Sequence, residues 1–193
     1  MKRFVFIAFA IIVAASVEAQ PKIDLGLKGG VNFSKISLDI DDYSAESVTK
    51  SHIGVFGRVG WDRVFIQPEL YFSGKGGDVT SDLAGTVASF NYKTFDVPVL
   101  LGFRIIKGKL LDLHLVGGPV FSKITKDDIT GGDIFDESYY NKNYMGVQYG
   151  IGIDVLMFTI DARMENGLGK FYTQNSNSAK NNAFMLSVGF KIL

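Results

Sequence analysis

Two histidines and a scatter of carboxylates are the residues in this sequence with catalytic potential. Asp112 and His114 fall on the same side of an alternating stretch, Leu110–Ser122, and Ser122 lies farther along that side. Aspartate, histidine and serine are the parts of a general-base centre, which works only if the fold brings them within hydrogen-bond reach. Such a trio can be drawn from almost any closed sheet. His114 also falls in the half of its strand away from the long connections, so no catalytic role is expected of it. His52, at the outer end of another alternating stretch, reads as a solvated rim residue.

Metal and phosphate chemistry are weaker still. The stretch KDDITGGDIFDE gathers Asp127, Asp128, Asp133, Asp136 and Glu137, oxygen ligands that could meet a divalent cation or a cation-bridged lipopolysaccharide surface. Its spacing does not match the calcium loop of EF-hands, and it reads as a solvated acidic loop. GVQYGIG is glycine-rich but sits inside a strand pattern with no helix after it, so it cannot cradle phosphate as a nucleotide loop does. The chain contains no cysteine, which excludes disulfide scaffolds, thiol catalysis and a lipidated N-terminal cysteine. No metal or cofactor is expected.

The elements that carry these residues alternate with period two, the signature of strands. Eight stretches show it: Ile23–Phe33, Ser51–Trp61, Val64–Lys75, Phe90–Ile105, Leu110–Ser122, Tyr144–Val155, Phe158–Gly169 and Ala183–Leu193. Long polar connections alternate with short ones at Asp62-Arg63, Lys107–Lys109 and Leu156-Met157, so all long loops emerge at one end. Flanking pairs such as Trp61 with Val64 and Val155 with Phe158 share a face, as a two-residue hairpin requires. Leu156-Met157 lacks Gly, Asn or Asp, which predicts a wider loop there. Pro68, Pro98 and Pro119 fall within strands and predict bulges.

One side of each strand is apolar without a charge over its central stretch, for example Ile53, Val55, Val59 and Trp61, or Phe184, Leu186, Val188 and Phe190. The other side carries Lys28, Arg58, Glu69, Asp96, Arg104, Asp112, Asp154, Asp161, Arg163 and Glu165, with Asp24, His114 and Lys191. A lysine or arginine facing lipid at mid-bilayer costs about 2–4 kcal/mol in a transmembrane barrel, so a charge-free face is what lipid requires. Both charge signs occur on the opposite face, which can therefore pair across a closed interior. A soluble sandwich with that face in water has the same periodicity. The even strand number, the alternating loops and an export signal favour the membrane.

That signal is MKRFVFIAFAIIVAASVEAQ: Lys2 and Arg3, an apolar run from Phe4 to Ala15, and a small-x-small site at Val17–Ala19. Residues 1–19 are expected to be a signal peptide and 20–193 a single barrel domain. Lys+Arg and Asp+Glu balance at 20 each among 193 residues, which gives no nucleic-acid footprint.

The stretches LGLKGGVNFS, VFIQPELYFSGKGG, FDVPVLLGFRI, LHLVGGPVFS and FMLSVGFKIL resemble the outer-membrane β-barrel family of Bacteroidetes that includes PorT-like proteins. Gln67-Pro68-Glu69-Leu70 and Val97-Pro98-Val99-Leu100-Leu101 are its most specific pieces. The resemblance covers the whole mature chain and implies an eight-stranded barrel with periplasmic termini and long outer loops. Chains of this kind commonly end in a lipid-facing aromatic residue, whereas this one ends Phe190-Lys191-Ile192-Leu193, with Leu193 on the inward parity.

The expectation is thus an all-β, eight-stranded antiparallel up-and-down transmembrane β-barrel in the outer membrane, with short periplasmic turns and long external loops. Its lumen would be filled by an ionic network, since eight strands leave room only for side chains. It would be a non-enzymatic structural or interaction scaffold, with a PorT-like role in protein secretion implied by the resemblance. Expected partners are outer-membrane lipid and lipopolysaccharide, the barrel insertion machinery, and other envelope or secretion proteins. Two alternatives differ in class. One is a soluble periplasmic barrel that encloses a small apolar ligand with the apolar face turned inward. The other is a surface-lipid enzyme centred on His114.

Overall fold

The computed structural model describes residues 21–38, 43–46, 48–81, 85–108, 110–130, 143–168, 172–174 and 177–193. The signal segment and the acidic residues Asp133, Asp136 and Glu137 lie outside them. Among the described residues there are ten strands: β1 (Lys22–Leu38), β2 (Tyr43–Glu46), β3 (Val48–Trp61), β4 (Val64–Ser81), β5 (Gly85–Lys107), β6 (Leu111–Thr130), β7 (Asn143–Val155), β8 (Phe158–Gly167), β9 (Tyr172–Gln174) and β10 (Asn177–Lys191). Eight of them form one antiparallel sheet in the order β1-β3-β4-β5-β6-β7-β8-β10, and β10 pairs back onto β1 from Gly26↔Lys191 to Leu38↔Ala179. The sheet is therefore a closed up-and-down barrel. The two short strands extend it above the long-loop end, β2 beside β4 and β9 beside β10.

A transmembrane strand needs only about 9–11 residues. With 18, 23 and 20 residues, β4, β5 and β6 rise well beyond that span. The sequence pattern ends these strands too early because their upper parts lose the apolar alternation that lipid imposes. Asp127 and Asp128, read as loop residues, are consequently strand residues of β6 opposite Tyr92 and Asn91.

At the other end the turns are short. Trp61 pairs with Val64 around Asp62-Arg63, and Val155 pairs with Phe158 around Leu156-Met157. The Leu156 turn is thus a two-residue turn and not the wider loop its composition predicts. Leu156 adopts φ 53° and Asp62 φ 51°. Positive φ at the first turn residue is a conformation that ordinarily selects glycine, and a side chain there costs about 1–2 kcal/mol. The twist of the paired strands imposes it. Lys107 reaches across to Asp62 at 2.6 Å and holds its carboxyl below the usual range. On the β5–β6 turn a bulge between Arg104 and Ile106 leaves both Ile105 and Ile106 facing out. Lys109 lies outside the described residues.

The prolines do not sit at bulges. The register of β3 with β4 is the same on either side of Pro68, and that of β4 with β5 and β5 with β6 is the same on either side of Pro98. The ladder skips pairs beside them and resumes in phase. A ring nitrogen that cannot donate is tolerated by a local gap in pairing.

Every large apolar residue of the predicted outward face is on the outside, from Ile23 and Leu25 to Val188 and Phe190. The inward face is polar and charged, with Arg58, Glu69, Asp161 and Arg163 each at most 1% exposed. A barrel that encloses an apolar ligand would need the reverse arrangement, so that alternative is excluded. Room for the larger inward side chains comes from small residues opposite them. A methyl at Gly102 would collide with the Phe65 ring, and one at Gly152 with His114 and Asp161.

Ile151 lies near the middle of β7, flanked by Leu115 and Ala162 on the lipid face. Ile151→Lys is expected to cost about 2–4 kcal/mol of folding stability in lipid vesicles, and a lysine at Asn182 on the outer rim at most about 1 kcal/mol. Urea titration read by gel mobility of unheated samples measures both.

Candidate functional site: the ionic lumen

Because strands of the barrel alternate, every second residue of each long strand projects inward, and the stagger between strands decides which of them meet. Three tiers result. In the middle tier Lys28 of β1 lies 2.9 Å from Glu69 of β4 and 2.8 Å from Asp161 of β8. Arg163 of β8 takes the same two carboxylates, with Nη1 at 2.7 Å from Glu69 Oε2 and Nη2 at 3.2 Å from Asp161 Oδ1. Arg163 also donates to the Tyr71 hydroxyl at 3.2 Å. Two cations and two anions from three strands thus form a neutral cluster across the lumen.

The lower tier, toward the short turns, pairs Arg58 with Asp154, and Lys191 adds a second cation to Asp154 at 3.4 Å. Arg58 and Arg104 both stack on the Phe65 ring, at 4.4 and 5.0 Å from its centroid. Desolvated cation–π contacts of this kind contribute about 2 kcal/mol. Arg104 lies 3.6 Å from Asp112 and donates to the Asp62 carbonyl at 2.7 Å. In the upper tier Lys75 meets Asp96 at 3.0 Å and Glu165 at 2.5 Å, and Gln148 donates to Glu165 at 2.9 Å.

All ten predicted lumen residues are therefore in ion pairs, distributed over these tiers. Lys75, Gln67 and Gln148 were not among them. Lys75 is hidden in sequence by the run Gly74-Lys75-Gly76-Gly77, which reads as the end of a strand, although its even spacing from Glu69 gave the parity. Gln67 accepts from Arg58 and donates to Glu69, linking the lower and middle tiers. An uncharged residue on a polar face carries no signal of that role.

His114 lies on the inward face, as its parity predicts, whereas His52 is not the solvated rim residue predicted. His52 is buried and hydrogen-bonds with Ser187 at 2.9 Å, because β1, β3 and β4 continue above it. His114 Nε2 lies 3.4 Å from Asp161 and its ring packs edge-on against Phe65. Asp112 is engaged by Arg104 instead, and Ser122 is eight residues along β6, about 26 Å at ~3.3 Å per residue. The Asp112, His114 and Ser122 trio does not assemble. Among the described residues no group of histidine and carboxylate side chains is arranged to hold a metal ion.

Residues 18–173 match the family model described as outer membrane protein beta-barrel domain. The chain belongs to that family. Among solved structures it is similar to the outer membrane protein OprG from Pseudomonas aeruginosa, with TM-score 0.54 and 13% identity, covering 90% of this chain and 96% of that one. It is also similar to Neisserial surface protein A, with TM-score 0.51 and 10% identity over 87% and 97% of the two chains. These likenesses show a common eight-stranded outer-membrane fold. Among curated proteins no sequence matches the chain significantly.

Removing one member of a buried ion cluster strands its partners and costs about 3–5 kcal/mol. Arg163→Met, which leaves Glu69 and Asp161 with Lys28 alone, is expected to lose that much. Adding Glu69→Gln restores neutrality, so the double variant should be more stable than Arg163→Met by itself. A double-mutant cycle by urea unfolding checks the sign of the coupling.

Proposed function

We propose that this protein is a non-conducting, non-enzymatic outer-membrane scaffold whose lumen is a structural plug and whose long outer loops are its working surface. The observation that carries the reading is the Lys28–Glu69–Arg163–Asp161 cluster, which joins β1, β4 and β8 across the interior with side chains at most 1% exposed. A solute would have to break several ion pairs to pass. Both histidines are buried among the inward side chains, His52 with Ser187 and His114 beside Asp161.

The resemblance to PorT-like proteins extends this reading to a partner class. The loops and the tall β4–β6 wall would contact other envelope proteins during their secretion. Their rise above the bilayer supports such a role, since strand pairing holds a protruding surface in a fixed shape.

Two measurements test the proposal. Purified, heat-modifiable barrel added to a planar bilayer should give no stepwise conductance, and steady channels would overturn the plug. Deletion in the native cell should lower the export of other secreted proteins without altering outer-membrane lipid composition. Unchanged export would remove the secretion role, and changed lipid chemistry would favour an enzyme.

A further inference from the structure

The two-residue turns at the short-loop end differ in chemistry. The β3–β4 turn is Asp62-Arg63 and the β7–β8 turn is Leu156-Met157. They lie on opposite sides of the ring, with β5 and β6 between them one way and β10 and β1 the other. Both place the first residue at positive φ, 51° for Asp62 and 53° for Leu156. Aspartate tolerates that conformation because its short side chain can hydrogen-bond locally, and leucine has no such recourse. Local backbone chemistry therefore gives no reason for a leucine in the second turn.

Around that turn the surface is apolar. Leu110, Leu156, Met157, Ile192 and Leu193 are between 49% and 70% exposed. Leu156 N–H donates to the Leu110 carbonyl at 3.2 Å, and Lys191 N–H to the Met157 carbonyl at 2.7 Å, so the three segments lie side by side. Those bonds also satisfy turn backbone groups internally, as hydrocarbon demands. Next to the turn stand Val155, Phe158 and Phe190 of the lipid-facing wall, the two phenyl rings 5.5 Å apart. Nearby charges are engaged elsewhere. Lys191 lies 3.4 Å from Asp154 on the inward side, and Lys107 lies 2.6 Å from Asp62. Strand length points the same way. The outward apolar run of β8 spans Phe158 to Met164, about 15 Å at ~3.3 Å per residue with ~40° of tilt, whereas that of β4 spans Val64 to Phe72, about 20 Å. Counting from Leu156, the β8 run equals that of β4.

We propose that the β7–β8 turn, with Leu110 and Ile192-Leu193 beside it, is an apolar foot seated among the acyl chains of the inner leaflet, while the Asp62-Arg63 turn opposite stands in water. Continuity with the lipid-facing wall selects this occupant. Val155 and Phe158 already face hydrocarbon, and Leu156 and Met157 extend the same surface without a polar side chain between them. A hydrophobic stretch shorter than the bilayer costs energy for each ångström of mismatch, and the foot supplies the length that β8 lacks. The inference rests on the barrel spanning the membrane with its long loops outward, and it depends neither on the plug nor on a role in secretion.

The chain contains no cysteine, so a single introduced cysteine carries a unique nitroxide label. Leu156→Cys, Met157→Cys, Asp62→Cys and Ile151→Cys are each labelled and folded into phosphatidylcholine vesicles, with oxygen or a water-soluble nickel chelate on both sides of the membrane. Oxygen concentrates in hydrocarbon and the chelate in water, so the ratio of their collision rates reports the surroundings of each label. Labels at positions 156 and 157 should share the oxygen preference of the label at 151, and the label at 62 should collide mainly with nickel. Equal nickel exposure at 156 and 62 overturns the foot. A label at 156 shielded from both reagents also overturns it, because a second copy of the chain then covers the turn. A second measurement separates the foot from the turn itself. Leu156→Asn with Met157→Gly suits the turn better and removes the apolar side chains. Relative to wild type, its urea midpoint should fall further in dimyristoyl than in dilauroyl vesicles, since the thicker bilayer punishes the shortened run more. The same difference in both lipids overturns the foot. Gel mobility of unheated samples identifies the folded variants, and if the double variant does not fold, the labels decide. None of these results touches the plug, which fails only if the barrel conducts.

Discussion

Closure of the sheet is the constraint from which the rest of this structure follows. Hydrocarbon offers no hydrogen-bond partner, so a sheet that spans it cannot leave an edge. The pairing of β1 with β10 removes the edge, and once it is made with only eight strands the interior is narrow. Water cannot fill such a lumen, and neither can a second apolar face of ordinary size. The inward positions must pack against one another while belonging to a chain whose other face is wholly apolar. Charged side chains answer this because long arms such as Arg58, Lys28 and Arg163 cross the lumen and neutralise carboxylates from non-adjacent strands.

The glycines and aromatic rings of the interior belong to the same solution. Phe65 needs the empty position of Gly102 to lie flat enough for two guanidinium groups to stack on it. Buried ion pairs recover their desolvation cost only with good geometry and satisfied neighbours. Gln67 supplies part of that satisfaction by joining Arg58 to Glu69, and Tyr71 supplies part by accepting from Arg163. The lumen is thus a set of ion clusters tied together, and a change in one tier should be felt in the next.

How much of this was legible follows from what period two can report. Alternation told which side of each strand was which, and the outward residues from Ile23 to Phe190 were readable because lipid tolerates nothing else. It could not tell which inward residues meet. Lys28 meets Glu69 and Asp161 because β1, β4 and β8 face one another across a closed ring, and that depends on stagger. His52 was read as a solvated rim residue because its burial depends on how far β1, β3 and β4 continue upward, in a region where polar sequence carries no lipid signal. Leu193 shows the converse: its parity is inward, but β10 ends at Lys191 and Leu193 is exposed. Local turn chemistry failed at Leu156 because the paired strands on either side outweigh the preference of a single residue.

The inner and outer surfaces answer to different constraints, and this separates the two kinds of site on the protein. Inward residues are fixed by one another, each charge meeting an opposite one within a few ångströms. Outward residues below the rim are fixed by lipid, which demands only that they be apolar. The rim is where neither demand applies. Outward positions there are polar, Lys93, Lys123 and Lys126 on β5 and β6 and Asn143, Asn166 and Asn182 on β7, β8 and β10.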